Sequence, residues 1–72
     1  MPTEIAAHIT GTVWKIQVEL GAQVAEGDTL MILESMKMEM PLESPASGRV
    51  LEIRCREGEA VQEGATVLVL DP

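Results

Sequence analysis

The nitrogen and sulfur side chains in this sequence that could accept an acyl group include the amines of Lys15 and Lys37 and the thiol of Cys55. A lysine amine takes up an acyl group once a partner removes its proton. Lys37 stands in "ESMKMEMP", Glu34 to Pro41, between Met36 and Met38. Lys15 stands in "TVWKIQV", whose alternation reads as a strand with the lysine facing water. Cys55 has no second cysteine to pair with, so it reads as a small buried hydrophobe in a reducing compartment. His8 lacks Cys or Asp at metal-ligand spacing, and Trp14 reads as a core or edge anchor. Glu57, Glu59 and Glu63 read as a solvated loop face with no acid/base pair. No residue is assigned a catalytic role and none a metal. The question is whether Lys37 is a solvated strand lysine or a displayed one.

The size and charge of the chain narrow what could display it. At 72 residues the chain is one domain, 1–72, near the size at which one core supplies only a few kcal/mol of net stability. A large enclosed active site is excluded on that ground. With no Phe or Tyr and one Trp, the core must come from Val, Ile, Leu, Met and Ala, which suits packed sheets. The net charge of −7 repels polyphosphate, and stacking platforms for bases are missing, so nucleic acid is not a partner. No apolar run is long enough to span a bilayer and no signal-like segment opens the chain, so the expected location is cytoplasmic, without a membrane partner.

An internal repeat organises the elements. "HITGTVWKIQVELGAQVAEGDTLMIL", residues 8–33, lies over "PASGRVLEIRCREGEAVQEGATVLVL", residues 45–70, without a gap at an offset of 48 − 11 = 37. The identities fall on glycines and apolar alternates: Gly11 on Gly48, Val13 on Val50, Gly21 on Gly58, Gly27 on Gly64, Leu33 on Leu70. Each half reads as a turn glycine, an alternating strand, a short bridge at Val24 or Val61 between paired glycines of positive φ, and a second strand. That second strand, "TLMIL" or "TVLVL", is apolar on both faces and is expected to be central. Glycine, proline and acidic punctuation leaves no room for a helix. The expected fold is all-β, a flattened β-barrel or sandwich of two halves related by a pseudo-two-fold axis.

The stretch 34–44 joins these halves. Met36, Met38, Met40 and Leu42 alternating with Lys37, Glu39 and Pro41 fit one continuous strand with a buried methionine stripe. That strand, continuing from Thr29, would run well past the usual five or six residues, and the chain must reverse for the halves to pack. A hairpin is therefore preferred, with arms Thr29 to Glu34 and Met38 or Glu39 to Glu43 and a tip of Ser35, Met36 and Lys37. The tip lacks an Asn-Gly signature, and the residues by themselves leave strand and hairpin both open.

"VELGAQVAEGDTLMILESMKMEMP", Val18 to Pro41, resembles the attachment region of biotinyl domains, and "SGRVLEIRCREGEAVQEGATVLVL" resembles the closing half of the same fold. The likeness covers nearly the whole chain and is nearest to small stand-alone biotin/lipoyl attachment proteins, whose fold is the barrel-sandwich hybrid. It implies that Lys37 lies on an exposed β-turn and holds biotin through an amide. It implies that Glu34, Ser35, Met36 and Met38 are recognition flanks. Related lipoyl domains place Asp before the lysine and Ala after it, where this chain has Met36 and Met38. Lipoate, or both groups, is the alternative cofactor. Some biotin carriers insert a thumb-like segment into the first half, and the gapless repeat leaves no room for one. The opening Met and the lack of an Ala/Pro-rich linker fit a free-standing subunit.

The resemblance further implies a non-catalytic carrier subunit: a biotin protein ligase loads Lys37, and the carrier shuttles carboxylate between the biotin carboxylase and carboxyltransferase of an enzyme such as acetyl-CoA carboxylase. Lysine amines are protonated at neutral pH, so activation falls to the ligase. A third reading, an unmodified β-sandwich interaction module, predicts that protein from the native host carries no adduct on Lys37.

Overall fold

The alternating segments form eight strands and no helix. In the computed structural model, which describes Met1–Pro72, these are β1 (Thr3–Ala6), β2 (Gly11–Ile16), β3 (Gln23–Val24), β4 (Thr29–Ser35), β5 (Met38–Glu43), β6 (Gly48–Ile53), β7 (Ala60–Val61) and β8 (Thr66–Asp71). They build two antiparallel sheets, ordered β1-β8-β6-β3 and β5-β4-β2-β7. The fold is therefore all-β, two packed sheets of four strands. With no helix present, none is long and apolar enough to cross a membrane.

The repeat is carried into three dimensions. Strands β2, β3 and β4 have β6, β7 and β8 as their counterparts at the same offset. The bridges cross over, however: β3 pairs with β6 and β7 pairs with β2, so each half contributes one short strand to the other half's sheet. The correspondence also runs wider than the sequence alignment. Ile5 pairs with Leu68 as Leu42 pairs with Met31, and Thr3 pairs with Leu70 as Met40 pairs with Leu33. Gly27 N–H donates to the Ser44 carbonyl at 2.8 Å, and Gly64 N–H to the Ala7 carbonyl at 2.9 Å. Both glycines need their positive φ, 93° and 92°, to turn the chain there. Residues 38–44 thus repeat residues 1–7, and of the joining stretch only the segment reaching Met36 and Lys37 lacks a counterpart.

β4 and β8 are interior strands, each beside the other interior strand of its sheet, β2 or β6, as their two-sided apolar character requires. Each carries a bulge where it meets its neighbour, at Leu30 against β5 and at Val67 against β1. The extra residue lets consecutive side chains, Leu30 with Met31 and Val67 with Leu68, all reach the core, where none is more than 1 % exposed. Val13, Leu33, Val50 and Leu70 complete the fully buried layer between the sheets.

A second pair of bulges corrects the expectation for Trp14. The register slips between Val13 and Lys15 and, at the repeat position, between Val50 and Glu52. Val13 and Ile16 both pack on the core three residues apart, a spacing that a regular strand of period two cannot deliver. The bulge absorbs the extra residue by leaving Trp14 outside, 42 % exposed, with its counterpart Leu51 at 43 %. Trp14 is not a core anchor. Its indole instead receives the Lys15 ammonium, with Nζ 5.7 Å from the ring centroid.

Candidate functional site

The hairpin of β4 and β5 builds the site. Its register, Leu33 with Met40, Glu34 with Glu39 and Ser35 with Met38, leaves two residues at the tip, Met36 and Lys37. A two-residue loop follows the right-handed twist of the strands in a type I′ or II′ turn, and the I′ form needs both loop residues to take the left-handed conformation. Met36 at φ 54° and Lys37 at φ 65° do so, the only non-glycine residues in the chain with positive φ. For side chains of this size that conformation costs on the order of 1 kcal/mol or more each. The preferred hairpin therefore forms, one residue tighter than expected, and the tip stores strain that Asn-Gly would not.

Lys37 is exposed and the ion pairs of the chain both belong to Arg54, with Glu52 and Glu4. No side-chain hydrogen bond restrains its amine, which leaves Nζ open to solvent. Met36 is 92 % and Met38 61 % exposed, which excludes the buried methionine stripe for these two positions. Met40 is half-buried and Leu42 buried, so the inward alternation resumes only beyond the turn. Ser35 is partly covered and Glu34 faces water. Lys37 and the flanks expected beside it, Glu34, Ser35, Met36 and Met38, thus lie together on one tip.

Two contributors were not legible as site residues. Gly11 packs its Cα against the backbone of Glu34, where a Cβ would run into the Glu34 carbonyl oxygen and come within 3.4 Å of the Ser35 Cβ. Its identity with Gly48, whose added Cβ would meet the Asp71 carbonyl at 2.8 Å, was the available signal. Glu39 is the second: it pairs directly with Glu34, so two carboxylates of like charge flank the base of the turn.

The remaining candidates lie elsewhere. Lys15 is held in β2 opposite Ile32 and over Trp14, so the chain's two lysines differ in backbone setting. His8 is exposed in the β1–β2 connection. Cys55 is buried, 3.8 Å from the Met31 sulfur, and burial, reinforced by the charge of Glu59, pushes its thiol up. The acidic loop is solvated as expected, with Glu57, Glu59 and Glu63 all exposed, and two of its carboxylates also cap backbone: Ile16 N–H donates to Glu57 at 2.9 Å and Arg56 N–H to Glu59 at 3.0 Å. The two largest surface clefts, one lined by Ile53, Cys55 and Glu59 and the other by Ile16, Val18 and Ala22, are repeat counterparts and take no residue from the tip. The arrangement presents one exposed amine on a two-residue turn, with no ion pair or side-chain hydrogen bond to it.

A family model described as "Biotin-requiring enzyme" matches residues 1–70. The chain is 41 % identical over 66 residues to the biotin/lipoyl attachment protein of Bacillus subtilis, covering 92 % of this chain and 90 % of that one. It is also 41 % identical over 70 residues to the pyruvate carboxylase of the same organism, covering 97 % of this chain but 6 % of that enzyme. The crystal structure of the Kluyveromyces lactis urea carboxylase contains a similar fold, with a TM-score of 0.92 and 32 % identity across 99 % of this chain and 6 % of that one. A fold of this size recurring as a small part of large carboxylases, and as nearly the whole of a small protein, belongs to a carrier module and not to a catalytic unit. The chain belongs to the biotin/lipoyl attachment family.

Proposed function

We propose that the chain is a biotin carboxyl carrier whose single attachment point is Lys37. The observation that carries this reading is the two-residue turn of Met36 and Lys37, which lifts one amine clear of both sheets while every other reactive side chain stays on a strand, in a connection or in the core. An exposed amine with no ion pair, on a mount held by the Gly11–Glu34 contact, fits covalent attachment through an amide. Specificity against Lys15 follows from the backbone: a ligase can close around a protruding turn, whereas Lys15 sits within a hydrogen-bonded sheet.

In loading, a partner ligase presents an activated acyl group and takes the Lys37 proton. The Nζ lone pair then forms the bond to the acyl carbon, and the activating group departs with the electrons of its own bond. Glu34, Ser35, Met36 and Met38 supply the recognition surface around that amine. Biotin, when bound, supplies a carrier for a carboxyl group. The chain's part afterwards is to hold that arm on a rigid scaffold at high effective concentration between a biotin carboxylase and a carboxyltransferase, as in a cytoplasmic acetyl-CoA carboxylase. Met36 in place of Asp, and the family description, favour biotin over lipoate.

The decisive experiment is coexpression with an active biotin ligase, followed by intact mass and streptavidin binding. Wild-type protein gains one biotinyl adduct and Lys37→Arg gains none. Retained binding by Lys37→Arg removes the assignment, and a lipoyl mass on Lys37 replaces biotin with the alternative group.

A further inference from the structure

We propose that Met36 and Met38 form a peroxide-sensitive pair whose oxidation blocks acylation of Lys37; this rests on the reading of Lys37 as the attachment point. The chain's methionines divide sharply by access. Met31 is fully buried and Met40 half-buried, whereas Met36 is 92 % and Met38 61 % exposed. Met1 is exposed as well but stands at the chain end, away from the hairpin in the register of the sheets. Oxidant reaching the surface therefore meets two thioethers bonded in sequence to either side of the acceptor lysine.

The chemistry balances with a hydroperoxide as the oxidant. The thioether sulfur attacks the terminal peroxide oxygen, the S–O bond forms as the O–O bond breaks, and water or an alcohol leaves with the transferred proton. Sulfur loses two electrons and the peroxide gains them. The product is a polar sulfoxide where an apolar, flexible side chain stood, and methionine sulfoxide reductases reverse it. A ligase that covers the tip to reach Nζ must desolvate both flanks, and an unpaired sulfoxide oxygen opposes that desolvation. The fold has no stake in either sulfur, so the effect falls on recognition and leaves the core intact.

The test exposes the full-length protein to mild hydrogen peroxide, maps each methionine by peptide mass, and measures biotin uptake with ligase and ATP. Met36 and Met38 oxidise well before Met40 and Met31, and uptake falls about tenfold or more in proportion to their oxidation and not to that of Met1. Treatment with methionine sulfoxide reductases A and B restores both the mass and the uptake. Circular dichroism is unchanged throughout. Full uptake by protein oxidised at both positions, or loss that the reductases do not reverse, overturns the inference. If unoxidised protein takes up no biotin on Lys37, the carrier reading itself fails, which is a separate outcome.

Discussion

Gly11 lies with its Cα against the carbonyl of Glu34, three residues before the lysine at the hairpin tip. This contact docks β2 on the last part of β4 and leaves no room for a side chain, so the tip is aimed by a glycine in another strand. Gly11→Ala is expected to destabilise by roughly 1–3 kcal/mol through overpacking. Gly48→Ala meets the equivalent carbonyl of Asp71 at the longer approach of 2.8 Å and costs less. Urea melts of the two variants check the difference. Equal losses would mean that the hairpin moves to relieve the closer contact.

The tip trades stability for display. Replacing Met36 and Lys37 by Asn and Gly supplies the pair that this turn geometry prefers and relieves the positive φ of both residues. The double variant should gain on the order of 1 kcal/mol in thermal unfolding and accept no acyl group. A lower melting temperature would show that the turn is not strained.

Glu34 and Glu39 face each other across the strands that lead to the turn. Like charges so placed oppose pairing, so Glu39→Lys is expected to stabilise by about 0.2–1 kcal/mol at low salt. The gain should shrink in 0.5 M salt because the pair is exposed. Melting temperatures at two salt concentrations measure it, and a gain independent of salt would assign the effect to packing.

Cys55 should behave as a protected thiol. Burial, with Glu59 adding to it, raises its pKa, so the folded state holds the proton more tightly than the unfolded one. A raised folded value contributes stability that is complete below the unfolded value, about 8.5, and is lost as pH rises through the folded one. The native protein should therefore react slowly with a thiol-specific disulfide reagent at neutral pH and rapidly in urea. Cys55→Val should flatten the fall of melting temperature between neutral and alkaline pH. An unchanged profile would show that other groups set the alkaline limit.

The all-β class, the interior place of β4 and β8 and the glycine turns were legible because they depend on local chemistry: side-chain alternation, two-sided apolar runs, and positive φ at Gly27 and Gly64; the residues around Lys37 left strand and hairpin both open, and only their likeness to biotinyl domains pointed to a turn. The core alternative for Trp14 failed because alternation carries no mark of a bulge, and the bulge exists only through the slip of β2 against β4. The exchange of β3 and β7 between sheets, the pairing of Glu34 with Glu39 and the contact of Gly11 with Glu34 are likewise relations between distant segments. By itself the sequence determined a duplicated β unit and, through its likeness to biotinyl domains, pointed to Lys37. Tertiary structure decided that the methionines beside Lys37 face water, because only the register of β4 on β5 shortens the loop to two residues and turns them out.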